Sequence, residues 1–191
     1  FYRLILGPTM VYSCAYFNSA DDSLEEAQTR KLDVVCQKLR LEPGERLLDI
    51  GCGWGSMAIH AASNYGVKVV GVTLSIAQAE RARQRVAEAG LEDRIEIRIQ
   101  DYREVSDGPF DKLCSIGMFE HTGSDIDGYF AETAKLGKPG GLALHHGICR
   151  QHSDEESPNT FINHYVFPDG ELHRVARVIA GMRDKFRGAV K

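Results

Sequence analysis

The densest chemical signal in the chain is Leu47-Leu-Asp-Ile-Gly-Cys-Gly-Trp-Gly55. Glycines at 51, 53 and 55 let the backbone approach a ligand closely and adopt positive φ. Asp49 sets a carboxylate just before them. A plain tight turn between strand and helix is the bland alternative, but open α/β sheets seat their ligands at such turns. Two cofactor classes suit the turn. A dinucleotide asks for G-x-G-x-x-G and an acid after the second strand. Here Ser56 stands at the third-glycine position, and the second strand runs into Gly71-Val-Thr-Leu-Ser75 with neither Asp nor Glu. Asp49 is better placed for a charged amino-acid moiety.

A second set of residues could act on a substrate. Glu120 lies in Met118-Phe-Glu-His121, His145 in His145-His-Gly-Ile148, and Cys14 in Tyr12-Ser-Cys-Ala-Tyr-Phe17. Each has an ordinary reading: Glu120 as a loop cap, His145 as a hydrogen-bonded core histidine, Cys14 as an inert thiol. Glu120 and His145 nevertheless fall at the carboxyl ends of neighbouring predicted strands, on the cofactor's side. Strand alternation sends His146 to the opposite face. Tyr102 follows the third strand, where an aromatic face suits adenine, although a lone Tyr is often a packing residue. Trp54 reads as a lid over the turn.

The elements that must position these residues alternate along the chain. Ser23-Leu-Glu-Glu26 has capping-box spacing and opens a helix with Ala27, Leu32, Val35 and Leu39 on its apolar side, stopped by Pro43-Gly44. Strands are predicted over 46–50, 68–72, 94–99, 110–116 and 142–148. Helices are predicted over 56–64, from a second capping box at Ser75-Ile-Ala-Gln78 to Gly90, over 125–136, and over 171–186. Ile95, Ile97 and Ile99 share one predicted face of the third strand, and Pro139-Gly-Gly141 reads as a turn. Short strands joined by helices imply crossovers, a parallel sheet and a Rossmann-like α/β fold.

With these elements in place, the glycine turn and Asp49 resemble motif I of S-adenosylmethionine-dependent methyltransferases of class I. Adding Thr73-Leu-Ser75 with Gln78, Tyr12–Phe17, Met118–His121 and Phe161–Gly170, the chain resembles the cyclopropane-fatty-acid synthases and mycolic acid cyclopropane synthases from Phe1 to about Val178. The resemblance implies S-adenosyl-L-methionine as cofactor. Tyr12, Ser13, Asp49, Gly51, Gly53 and Gly55 would bind it, with Thr73, Leu74 and Gln78 on the ribose side and Tyr102 at the adenine. It also implies bicarbonate as the base for ring closure, held by Glu120, His145, the Cys14 backbone and Gly147. The family's isoleucine two residues after the histidine falls, on this assignment, at Gly147. The implied reaction transfers methylene to a cis double bond of an unsaturated phospholipid acyl chain. A small-molecule methyltransferase on the same scaffold, or a cofactor-binding remnant without turnover, are the alternatives. Residues 1–22 are expected to cover the cofactor and 23–191 to form the methyltransferase domain, truncated before the family's last two strands and its anion-binding tyrosine. That truncation predicts little or no turnover by this chain alone.

Composition bounds the partners. The chain has 191 residues, 43% hydrophobic and 26% charged, and fits one domain. Mean hydropathy is −0.27, and no apolar run approaches membrane-span length. Net charge is −4, which argues against nucleic acid as a partner. Five cysteines without a C-x-x-C pair fit neither a disulfide framework nor a zinc site, so no metal is expected. Reduced thiols and no visible signal peptide favour a cytoplasmic setting. From Glu171 to Lys191 the net charge is +4, against −8 for the rest. A solvated helix face explains this; peripheral contact with anionic lipid at the inner membrane face is the sharper reading. A homo-oligomer is compatible with all of this.

Overall fold

The computed structural model describes residues 1–150, 170–183 and 185–186. The predicted loop through Ser157-Pro158, residues 161–169 of the Phe161–Gly170 motif and the end of the basic tail lie outside them. In chain order the elements are α1 (Tyr2–Leu6), α2 (Leu24–Leu39), β1 (Arg46–Ile50), α3 (Ser56–Tyr65), β2 (Lys68–Thr73), α4 (Ile76–Glu88), β3 (Ile95–Ile99), β4 (Phe110–Ile116), α5 (Ile126–Leu136), β5 (Gly137–His146) and α6 (Val175–Arg183). Single 3-10 turns cover Tyr102–Glu104 and Phe119–His121.

All five strands pair in parallel, in the order β3-β2-β1-β4-β5. Helices cover both faces, as parallel sheets require. Leu47, Val67 and Val69 pack under α2, α3 and α4, whereas Leu48, Ile50, Val72 and Phe110 face the opposite side. There α5 and α6 add Phe130, Tyr129 and Val178. Among the described residues no helix is long and apolar enough to cross a membrane.

Local chemistry accounts for most boundaries. Ser23 and Glu26 close the reciprocal cap on α2. That helix stops at Leu39 rather than at Pro43-Gly44, because Arg40 turns left-handed at φ 50°. The buried Lys112 ammonium then donates to the Leu39 and Arg40 carbonyls at 2.9 and 3.1 Å, satisfying the open helix end. The second predicted box closes only halfway. Ser75 accepts from the Gln78 amide, while the Gln78 side chain turns away to Thr73 and Tyr12.

Pro139-Gly-Gly141 is not a turn but part of β5. The ladder slips between Phe110 and Lys112 to admit the extra residues. A Cβ at Gly141 would lie 2.6 Å from the Asp111 carbonyl oxygen, so only glycine fits that close approach. Ile99 lies exposed at the end of β3, away from the core that Ile95 and Ile97 join. In α6, which is shorter than predicted, Arg177 pairs with Asp127 at 2.5 Å, so its charge is matched within the chain.

Candidate functional site: a cavity at the sheet's switch point

The chain runs outward from β1 through β2 to β3, then returns to place β4 on the other side of β1. Crossovers therefore part between β1 and β4, and their carboxyl ends frame a crevice. A cavity of about 370 Å³ opens there. Asp49 and Gly51 line it from β1, Gly117 and Glu120 from the end of β4, and His146 from β5; Lys31 of α2 and residues 10–14 close it.

The turn is built on one carbonyl: Gly51 and Cys52 N–H both donate to Val72 O, at 2.9 and 3.0 Å. Gly51 has φ +76° and Gly53 φ +54°; a Cβ at Gly53 would stand 2.9 Å from the Tyr12 ring. The cradle is thus closed to any side chain. Gly55 also has a packing reason to be glycine. It heads α3, and a Cβ there would press on Ala82 at 3.1 Å, so it serves the packing of α3 on α4. Asp49 shares the Leu47 face of β1. It is buried, and its Oδ2 has no hydrogen-bond partner among the described residues. Burial pushes its carboxyl up to about 7, with the Lys31 charge pulling the other way.

The N-terminal segment is tied down over the cavity. Gln28 Nε2 donates to Val11 O at 2.8 Å, and Lys31 Nζ to Ser13 Oγ at 2.6 Å. Ser56 Oγ donates to Thr9 O at 2.6 Å. Arg85 joins both sides, donating to Trp54 O at 2.5 Å and to Thr9 O at 2.9 Å.

The two histidines exchange the places expected of them. In the β4–β5 register Ser115 stands beside His145 and Ile116 beside His146. Registered neighbours point to the same face, so His145 joins Ser115 on the α5 side. There the Tyr129 hydroxyl bridges His145 Nδ1 at 2.9 Å and Ser115 Oγ at 2.7 Å. The His145 ring packs edge-on against Tyr129 and Phe130, and burial drives its pKa down to about 4. His146 points into the cavity instead, beside Glu120. Its pKa is lowered by burial and then by Lys31, with Glu120 opposing.

Glu120 is buried in the 3-10 turn after β4. Its Oε1 accepts from the Ile148 amide at 2.7 Å, and its Oε2 has no partner among the described residues. The residue whose amide holds Glu120 is Ile148, the neighbour of Gly147. A Cβ on Gly147 would fall 2.3 Å from the Phe119 ring, so glycine is there to make room for Phe119. Counted from His146, isoleucine again stands two residues on, the spacing the resemblance implies.

The remaining predicted residues divide. Tyr12, Ser13 and Cys14 line the cavity with Asp49 and Gly51. Thr73, Leu74 and Gln78 lie outside it at the end of β2, linked to it where Gln78 Nε2 reaches the Tyr12 hydroxyl at 3.4 Å. Tyr102 packs edge-on against Tyr129 and borders a separate open cleft. Trp54 lines the cavity and stacks near Tyr2 of α1. Lys31 went unremarked in the sequence, although Gln28, Lys31 and Val35 fall on the same helical stripe as Leu32.

The mycolic acid cyclopropane synthetase family matches residues 1–187. The chain belongs to that family. It is 45% identical over 188 residues to a probable fatty acid methyltransferase of Pseudomonas putida, covering 95% of this chain and 48% of that protein. It is also 45% identical over 183 residues to the cyclopropane-fatty-acyl-phospholipid synthase of Escherichia coli K12, covering 95% and 46%. The structure of mycolic acid cyclopropane synthase CmaA1 complexed with SAH and CTAB superposes with a TM-score of 0.84 at 36% identity, over 94% of this chain and 67% of that one. The chain thus spans about half the length of these two curated relatives, and its sheet is that of a class I S-adenosylmethionine-dependent methyltransferase.

Proposed function

We propose that this chain carries the cofactor site and the base-holding residues of an enzyme that adds methylene from S-adenosylmethionine across a cis double bond of an unsaturated phospholipid acyl chain. The observation that carries the reading is the juxtaposition, in one cavity, of the Gly51 turn with the unpartnered Asp49 Oδ2 and a cluster of the buried Glu120 with His146 and Ile148. The cradle suits an adenosyl amino acid. Gly51 brings backbone without a side chain to the cavity wall, and Asp49 offers a desolvated carboxylate to an α-ammonium group. S-adenosylmethionine supplies an electrophilic methyl group there.

Addition of that methyl to an alkene leaves a cation on the substrate, and a proton must then be lost for the ring to close. Glu120 Oε1 is already committed to the Ile148 amide, which orients the carboxylate; Oε2 remains to accept from a hydroxyl. His146 and the Cys14 backbone supply the opposite wall. Such a mixed set of donors and one acceptor suits a small oxyanion of bicarbonate type rather than a side-chain base. Buried Met10 and Val11 line the same cavity, and a reaction through a cation gains from such apolar cover.

Calorimetry with S-adenosylhomocysteine, followed by lipid mass analysis after incubation with unsaturated phospholipid vesicles, tests the reading. Binding of S-adenosylhomocysteine by the chain and, in the full-length enzyme, a bicarbonate-dependent mass gain of one methylene are expected. Binding of NADH with none of S-adenosylhomocysteine refutes the cofactor; methylation of a small amine without bicarbonate refutes the base and the substrate.

A further inference from the structure

Lys31 is 1% exposed, on the buried stripe of α2, and the chemistry of ring closure leaves its charge unused. An ammonium has three donors. Among the described residues one of them meets a partner, Ser13 Oγ at 2.6 Å. Burying such a group is costly unless an anion compensates it. Asp49 faces the same cavity and bears on the Lys31 charge, yet the two make no hydrogen bond and Asp49 Oδ2 stays unpartnered. Two opposite charges are therefore held apart along one wall, both stripped of water. That arrangement complements a ligand that brings one charge of each sign a few ångströms apart, as an amino-acid terminus does.

We propose that Lys31 is the carboxylate anchor of the cofactor site, its ammonium together with Ser13 Oγ receiving the α-carboxylate while Asp49 receives the α-ammonium. The assignment rests on the S-adenosylmethionine reading and adds to it a residue that discriminates amino-acid-bearing ligands from other adenosyl compounds. Burial lowers the Lys31 pKa, and the nearby Cys114, Asp49 and Cys14 oppose that shift, as expected of a cation awaiting an anion. Ser13 then serves twice, because its hydrogen bond also fixes the ammonium beneath the N-terminal cover.

The test compares two ligands by calorimetry at neutral pH: S-adenosylhomocysteine and its decarboxylated analogue, which keeps the amine. The wild-type chain is expected to prefer the carboxylate-bearing ligand by roughly tenfold or more, the size of one charge-assisted contact. In Lys31→Met that preference disappears, because affinity for S-adenosylhomocysteine falls to that of the analogue while the analogue's own affinity holds. Retained analogue binding also shows that the variant folds. Lys31→Gln, which keeps a donor for Ser13 and loses the charge, should behave alike. A preference that survives in either variant overturns the assignment, as does equal affinity of the wild type for both ligands. Unchanged S-adenosylhomocysteine affinity in Lys31→Met, with loss of bicarbonate dependence in turnover, would give the charge to the base instead and overturn the proposal. Wild type that binds neither ligand overturns the cofactor reading itself, a distinguishable result.

Discussion

Asp49 and the histidine pair show how much a single side chain's surroundings decide. With its carboxyl raised to about 7, Asp49 must lose a proton before it can meet a cationic ligand at acid pH. Affinity for S-adenosylhomocysteine should then be level above pH 7 and fall by about tenfold per unit below it. Asp49→Asn should abolish that slope and weaken binding at pH 8; calorimetry over pH 5.5 to 8.5 reads both, and a level wild-type profile would count against the carboxylate. For the histidines, the proposed base site predicts that His146→Gln in the full-length enzyme costs at least an order of magnitude in turnover with little change in S-adenosylhomocysteine affinity, since its ring shares the cavity with Glu120. His145→Phe should spare both, and steady-state rates beside binding titrations separate the two variants. The sequence could not rank these neighbours, because period-two alternation says they face opposite ways but not which way either faces. Ser115 and Tyr129 decide it by claiming His145. Glu120 and Asp49 were legible because an acid at a strand's carboxyl end has one crevice to point into.

Gly147 teaches the same lesson for an element. The turn Phe119–His121 stays where it is because the Phe119 ring lies flush against a residue without a side chain. Gly147→Ala should overpack that contact, destabilise the fold by about 1–3 kcal/mol and shift Glu120 with the turn. A lowered denaturant midpoint with turnover reduced more than cofactor affinity is the expected signature, and unchanged unfolding would acquit the Phe119 contact. At α2, Ser23→Ala removes the hydroxyl that accepts from the Glu26 amide, leaves the backbone bond to the Glu26 carboxylate, and should cost about 1 kcal/mol without touching the cavity, as chemical denaturation can show. Periodicity and caps made α2, α3, α4 and α5 readable to within a residue or two. The failures share one cause: Arg40 and Pro139-Gly-Gly141 take their conformations from distant partners, namely Lys112 and Asp111, which no local pattern contains.

For the molecule as a whole, acid stability reports the buried His145. Its pKa near 4 lies below the unfolded 6.5, so the folded state refuses a proton that the unfolded chain accepts. Stability it contributes is intact above pH 6.5 and is lost between there and pH 4, on the order of 3 kcal/mol. Asp49 acts with the opposite sign over pH 7 to 4, so thermal midpoints of wild type minus His145→Phe, not the wild type alone, isolate the effect. A parallel pair of profiles would mean that His145 is solvated. The global plan was the most legible scale: strands alternating with helices dictate a parallel sheet, and the sheet's reversal at β1 dictates where a ligand sits. The N-terminal cover adds a consequence of another kind, one of time. Residues 9–13 are fastened by Gln28, Lys31, Ser56 and Arg85 from three different helices, over the cavity proposed to take the ligand's charged end. Spent ligand must wait for those fastenings to part together, so exchange, not encounter, sets the residence time and can cap the turnover number. Arg85→Ala, which releases Thr9 and Trp54 at once, should shorten that residence severalfold in stopped-flow displacement while the association rate barely changes.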